Sequence, residues 1–104
     1  MITHAYTSKS GALIGKNGIY SGCIIKLPRC GSITLGRDSR EVDIAITANC
    51  SKISRVHCDV SYDYSNGYYI DENGIKTMIK KQTIRAHSGD ILCIGDDNNC
   101  FELL

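Results

Sequence analysis

Apolar and polar residues alternate with a period of two along most of this 104-residue chain. Side chains at successive positions of a strand point to opposite faces, so this period is typical of strands with one buried face. No window sustains the apolar stripe of a helix for three turns. The alternating residues are Ile33 and Leu35, Ile44 and Ile46, Cys58, Val60 and Tyr62, and Phe101 and Leu103.

Turn-forming residues separate these runs and set the fold class. Clusters of Asn, Gly, Ser and Asp fall between the apolar stretches, and residues 63–67 are predicted to form a hairpin loop. Residues 49–56 are predicted to be a loop, and residues 91–94, apolar throughout, a central strand covered on both faces. Many short strands without helices predict an all-β sandwich of two antiparallel sheets.

Size and charge limit the possible functions. We expect one domain over residues 1–104, with 42% hydrophobic residues to form its core. A net charge of +1 gives no basic excess, so nucleic-acid binding is not expected. No apolar run is long enough for a membrane span, and residues 1–11 lack the apolar segment of a signal peptide. We therefore expect a cytoplasmic protein that binds no membrane.

The six cysteines form no C-x-x-C pair and no Cys/His spacing typical of zinc. We expect no metal and no cofactor. An even count in a short chain is also compatible with disulfides in a secreted protein. Because no signal peptide is evident, reduced thiols are the expectation that we favour.

Phosphate-binding residue types follow or precede three of the predicted strands. Gly36-Arg37 follows one run, Ser54-Arg55-Val56-His57 leads into the next, and Asn73-Gly74 comes after the run at residues 68–71. Arginine presents planar, permanently charged donors, and a hydroxyl and an amide can complete the shell of a phosphate group. Taken singly, each has an ordinary explanation: a surface arginine, a loop hydroxyl, a structural histidine or a simple turn.

The combination resembles the forkhead-associated (FHA) domain family of phosphothreonine-peptide readers. The likeness extends from residues 12–14 through residues 33–37, 54–57 and 73–74 to the block at residues 88–95. It implies a sandwich of about 11 short strands with its ligand loops at one end. It also implies a non-catalytic module that recruits partners phosphorylated by an upstream Ser/Thr kinase.

The resemblance assigns a role to each residue of the site. Arg37 would hold the phosphate bidentately, Ser54 would donate its hydroxyl to it, and Lys52 would add a basic contact. Arg55 would reach the phosphate or the peptide backbone, and Asn73 would bond the peptide main chain. The residues that would shape the loops without touching ligand are Gly36, His57 and Gly74. A small apolar recess would accept the threonine methyl group.

One departure from the family pattern affects specificity. Ile75 stands where the family usually has Thr, and residues 76–82 contain no second Asn-Gly turn. The loop that contacts peptide residues beyond the phosphothreonine is therefore expected to differ. Peptide preference is affected more than phosphate binding.

Two other functions compete with this interpretation. His57 and Cys58 are adjacent and are the residue types of a Cys–His catalytic pair, but neighbours on a strand diverge. The second rival is an assembly module of the same fold that binds without phosphate. Such a module would tolerate the loss of Arg37.

Overall fold

Nine strands and one 3-10 turn make up the computed structural model, which describes residues 11–47, 52–72 and 82–104. The strands are β1 Ala12–Gly15, β2 Ile24–Lys26, β3 Ser32–Gly36, β4 Ile44–Ala45, β5 Cys58–Asp63, β6 Gly67–Glu72, β7 Gln82–Ala86, β8 Ile91–Cys93 and β9 Cys100–Leu103. The 3-10 turn is Gly18–Tyr20.

The strands form two sheets that enclose one core. The four-stranded sheet has the order β2-β1-β9-β8, and the five-stranded sheet has the order β4-β3-β5-β6-β7. All pairs are antiparallel except β3–β4, where Leu35 lies beside Ile44 in a parallel register. The predicted all-β sandwich is confirmed. The parallel pair arises because residues 37–43 carry the chain back beside β3, where Asp43 bonds both the N–H and the carbonyl of Thr34.

The core is built from the alternating residues. Seven of these residues are buried: Ile33, Leu35, Ile46, Cys58, Val60, Phe101 and Leu103. Tyr62 and Ile44 are half-buried and pack against this cluster. The predicted hairpin at residues 63–67 is also present, with Asp63 accepting hydrogen bonds from Ser65 and Asn66. These two predictions, of core and hairpin, are confirmed.

The prediction for residues 91–94 was wrong. β8 covers only Ile91–Cys93, and among the described residues it pairs with β9 alone and so lies at the edge of its sheet. Ile91 is 53% exposed, and Ile94, which follows the strand, is the buried residue. The hydrophobicity of a short run does not show whether the strand has a neighbour on both sides in the sheet. For this reason the apolar run at residues 91–94 did not predict the position of β8.

The expectation of reduced thiols was also wrong for one pair. Cys93 and Cys100 form a disulfide, with their Cα atoms 4.0 Å apart. They lie directly opposite each other in the β8–β9 register, which the sequence spacing did not reveal. Among the described cysteines, Cys23 and Cys30 are free and exposed, and Cys58 is free and buried. Cys50 lies outside the described residues.

Tyr68 connects the two sheets through a buried hydroxyl. Its side chain starts on β6 of the five-stranded sheet and is completely buried. The hydroxyl accepts the N–H of Ala12 (3.0 Å) and donates to the backbone oxygen of Leu104 (2.5 Å), both at the four-stranded sheet. Burial raises the pKa of Tyr68. A paired hydroxyl in a core fixes how the two sheets lie against each other.

Tyr68→Phe should lower the free energy of unfolding by about 1–3 kcal/mol, because it leaves the Ala12 N–H without its partner. Urea unfolding followed by circular dichroism would measure this change. Tyr69→Phe is the matched control, since Tyr69 is only half-buried and its ring lies under Arg85. Equal stabilities of the two variants would show that the Tyr68 hydroxyl does not stabilise the sandwich.

Candidate functional site

Three loops meet at one end of the sandwich. The loop at residues 37–43 follows β3, residues 52–57 precede β5, and residues 94–99 join β8 to β9. Leu35 near the end of β3 pairs with Cys58 at the start of β5, so the first two loops lie side by side. The antiparallel register therefore brings together residues that are distant in sequence.

Gly36 permits the close approach of the first two loops. A Cβ atom at this position would lie 2.2 Å from the carbonyl oxygen of Arg55 and 3.0 Å from the backbone nitrogen of His57. Both neighbours are backbone atoms, which cannot rotate away as a flexible side chain would. Any side chain here would push residues 54–57 away from β3.

Arg37 is fixed by its backbone and by one nitrogen of its side chain. Its N–H is shared between the carbonyls of Ser54 (2.9 Å) and Arg55 (3.0 Å), and its Nε donates to the carbonyl of Ile53 (2.9 Å). Within the described part of the chain, its terminal Nη atoms have no hydrogen-bond partner, and the residue is exposed. The guanidinium is therefore oriented with its terminal donors still available.

Ser54 is positioned by His57. The Ser54 N–H donates to His57 Nδ1 (3.1 Å), and the His57 N–H donates to the carbonyl of Leu35 on β3 (2.8 Å). Burial lowers the pKa of His57, while the charge of Glu72 acts in the opposite direction. The Ser54 hydroxyl has no partner among the described residues and is partly accessible.

Lys52 and Arg55 are exposed beside Arg37 and Ser54. Arg40, on the loop after β3, is instead paired with Asp38, which accepts its backbone N–H and its guanidinium (3.0 and 3.2 Å). The side-chain hydrogen bond from Arg40 lowers the pKa of Asp38, and Arg55 adds a weaker effect in the same direction. The end of the sandwich therefore presents several cations, of which Arg40 already has a carboxylate partner.

The structure brings together six of the eight predicted site residues: Gly36, Arg37, Lys52, Ser54, Arg55 and His57. The other two, Asn73 and Gly74, lie outside the described residues. Glu72, the last residue of β6, is at the same end of the sheet as Gly36, because it pairs with Cys58.

Sequence reasoning missed Ile53 and Asp38. Ile53 is completely buried, and its carbonyl orients the Arg37 guanidinium. Its signal was a large apolar residue between the polar residues Lys52 and Ser54. Asp38 had no such signal, because its pairing with Arg40 depends on the turn that residues 38–41 form.

Cys58 does not have the environment of a catalytic nucleophile. It is buried on the core face of β5, and desolvation raises the pKa of its thiol to about 12. His57 Nδ1 is already engaged by the Ser54 N–H. A thiol of this kind is protonated at neutral pH, so these two residues are not a Cys–His pair.

The described ranges contain no group of three or more metal-ligating side chains close enough to hold an ion. In the same ranges, no helix has the length and apolar character needed to cross a membrane.

The sequence profile of the FHA domain matches residues 33–95, more than half of the chain. The fold is similar to the FHA domain of the CT664 protein from Chlamydia trachomatis, with a TM-score of 0.69 and 17% identity over 91% of this chain and 96% of that one. It is equally similar to the MEK1 FHA domain, with a TM-score of 0.69 and 13% identity over 95% and 92%. No curated protein matches the sequence significantly.

Fold and sequence together define a β-sandwich interaction module. The chain belongs to the FHA domain family. Domains of this family are generally protein-interaction modules that bind phosphorylated peptides.

The partial burial of His57 should make stability depend on pH, because burial lowers the pKa of its imidazole. Because the folded-state pKa of His57 is lowered, its contribution is fully present above the unfolded-state pKa of about 6.5 and is lost as the pH falls below that value. His57→Asn keeps an acceptor for the Ser54 N–H but does not titrate. Urea unfolding between pH 7.5 and 5.0 should show a steeper loss of stability for wild type than for His57→Asn. Parallel curves would contradict this role of His57.

Proposed function

We propose that this domain binds phosphothreonine-containing peptides and so recruits proteins phosphorylated by a Ser/Thr kinase. The arrangement of Arg37 is the observation that carries the proposal. Its Nε is held by the Ile53 carbonyl, and its backbone N–H bonds the carbonyl of Ser54. Among the described residues, neither its terminal nitrogens nor the Ser54 hydroxyl has a hydrogen-bond partner. A fork of two N–H donors beside a hydroxyl matches the geometry of a phosphate group.

The energies support a phosphate-dependent interaction. Each hydrogen bond to a charged group contributes about 1.5–3 kcal/mol net. Two bonds from Arg37 and one from Ser54 would supply most of the roughly 8 kcal/mol of a micromolar complex. Removing the phosphate would then leave too little binding energy to measure.

The remaining residues have supporting roles in the proposal. Lys52 and Arg55, both exposed at this end, would contact the phosphate or the backbone of the peptide. Asn73 would bond the peptide main chain and set its register. Gly36, His57 and Gly74 would shape the loops: the first allows the close backbone contact, and His57 holds the N–H of Ser54.

We further propose selectivity for phosphothreonine over phosphoserine, with an altered preference for flanking residues. The threonine methyl would enter a small apolar recess beside the phosphate. The presence of Ile75 and the lack of a second Asn-Gly turn in residues 76–82 support a changed contact beyond the phosphothreonine.

The domain is proposed to act in the cytoplasm as a non-catalytic module, without a nucleic acid, membrane, metal or cofactor as its partner. The buried, protonated Cys58 thiol supports the absence of catalysis through that residue. The net charge of +1 gives no general attraction to nucleic acid or to anionic lipid.

The alternative is a module of the same fold that assembles without phosphate through its sheet faces. Exposed isoleucines favour it: Ile24 on β2, Ile84 on β7 and Ile91 on β8 are 60%, 42% and 53% exposed. In the part of the chain that the structure describes, all three strands lie at sheet edges. Unpaired strand edges with apolar side chains are able to pair with other chains. This mode would not need Arg37.

Arg37→Ala should lower phosphopeptide affinity at least about 100-fold, because two charge-assisted bonds are lost. The assay is fluorescence anisotropy with an oriented phosphothreonine peptide library, beside phosphoserine and unphosphorylated libraries. Arg29→Ala is the matched control, since Arg29 is exposed in a cleft with Tyr62 and Tyr64 at the opposite end of β3 and β5.

Binding that survives Arg37→Ala unchanged would place the phosphate elsewhere and refute the proposed site. Binding lost equally in Arg29→Ala would point to the opposite end of the sandwich. If none of the libraries binds, the phosphate-independent assembly function gains support.

Ser54→Ala should weaken the same interaction about 10-fold or more, since it removes one bond to a charged oxygen. Ser61→Ala is the control, because Ser61 lies toward the far end of β5. Equal affinities of the Ser54 and Ser61 variants would show that the Ser54 hydroxyl does not contact the phosphate.

A further inference from the structure

The disulfide Cys93–Cys100 closes the third loop at the functional end of the sandwich. Cys93 is the last residue of β8 and Cys100 the first of β9, so the bond closes residues 94–99 into a ring. Cys93 is exposed, whereas Cys100 is buried. One sulfur of the pair is therefore open to attack by an external thiol.

The closed loop packs directly on the loop that positions Arg37. A Cβ atom at Gly95 would lie 2.7 Å from Ile53 Cγ1 and 3.4 Å from the backbone carbonyl of Lys52. Ile94 and Ile53 are both buried in the core. The position of residues 94–95 therefore limits where the backbone of residues 52–53 can lie.

Ile53 passes this restraint to the guanidinium of Arg37. Its side chain occupies the space that a Cβ at Gly95 would need, and its carbonyl accepts the Arg37 Nε–H (2.9 Å). The contacts run from the disulfide through Gly95 and Ile53 to Arg37. A chain of packed groups of this kind is a physical route for coupling two positions.

Other bonds hold the loop when the disulfide is open. The Ile94 N–H donates to the Asn99 carbonyl (3.0 Å), and the side chain of Asn17 bonds the Asp97 carbonyl (2.9 Å) and the Cys100 N–H (2.8 Å). Reduction would remove one restraint on residues 94–99, and these bonds would keep the loop from unfolding.

We infer that the Cys93–Cys100 pair is a redox switch that regulates ligand binding at the Arg37 end. This inference rests on the proposed phosphopeptide-binding function. The oxidised pair holds residues 94–95 against Ile53 and keeps Arg37 oriented. The reduced pair releases that restraint and weakens binding. Disulfides in reducing compartments are usually transient and redox-sensing, which fits the proposed cytoplasmic location.

The reaction is thiol–disulfide exchange with a dithiol. One thiolate of the reductant attacks Cys93 Sγ, the S–S bond breaks, and Cys100 leaves as a thiolate that takes up a proton. The second thiolate of the reductant then displaces Cys93, which is also protonated. The protein disulfide gains two electrons and two protons, and the reductant becomes a disulfide. A disulfide oxidant such as oxidised glutathione reverses the reaction.

The reactions of the other described thiols can be distinguished from those of the pair. Cys58 is buried and packed in the core, so thiol reagents do not reach it in the folded protein. Cys23 and Cys30 are exposed but carry no disulfide to reduce. A variant without them separates their chemistry from that of the pair.

The test compares phosphothreonine-peptide affinity of the protein oxidised with glutathione disulfide and reduced with dithiothreitol. Reduction should weaken binding about 5-fold, at the low end of typical coupling between sites, and reoxidation should restore it. The variant Cys93→Ser/Cys100→Ser should bind like the reduced protein and ignore the redox agents. The control variant Cys23→Ser/Cys30→Ser/Cys50→Ser should respond like wild type.

A second readout is independent of phosphopeptide binding. The NMR signal of the Arg37 Nε–H should show faster hydrogen exchange after reduction, because its bond to Ile53 loosens. If Arg37 responds but neither form binds peptide, the proposed function fails and the coupling stands. Equal affinity and equal Arg37 exchange in both forms would overturn the switch. The switch would also be overturned if alkylation after treatment with glutathione disulfide showed that Cys93 and Cys100 were both still reduced. If the double variant does not fold, the wild-type comparison decides.

Discussion

Three consecutive carbonyl groups, those of Ile53, Ser54 and Arg55, accept hydrogen bonds from the segment that follows β3. Arg37 donates its N–H and Nε to them, and Asp38 adds its N–H to the Arg55 carbonyl (3.2 Å). This backbone contact requires Gly36, because any Cβ there would collide with Arg55. Two further features hold residues 53–55 in place for this contact. They are the bond between His57 and Ser54 and the packing of Gly95 on Ile53.

The sandwich supplies the rigidity that this contact needs. β3 and β5 are the two strands from which the loops emerge, and their shared register fixes the spacing of Gly36 and His57. Tyr68 anchors the neighbouring strand β6 to the opposite sheet through its buried hydroxyl. Side chains aimed by strands in a packed core lose little entropy when they bind, which is why loops on a stiff scaffold serve as binding sites.

The sequence was sufficient for the fold class, for most of the core and for the proximity of six of the eight predicted site residues. Period-two alternation marked Cys58 and Val60 as core residues, and the order of the loop residues indicated the family. Features that depend on register were not predictable. Local hydrophobicity does not encode which segments of the chain lie side by side. Three features depend on that arrangement: the Cys93–Cys100 pair, the exposure of Ile91 and the role of the Ile53 carbonyl.

The central claim is that phosphate binds at the Arg37 end and not at a sheet face or at the cleft lined by Tyr62 and Tyr64. The most direct measurement is an ¹⁵N-resolved NMR titration of the domain with a phosphothreonine peptide. If phosphate binds at the Arg37 end, the largest shifts should fall on the Arg37 side-chain Nε–H and on the amides of Ser54 and Arg55. Largest shifts on the edge strands β2, β7 or β8, or at the opposite cleft, would contradict it.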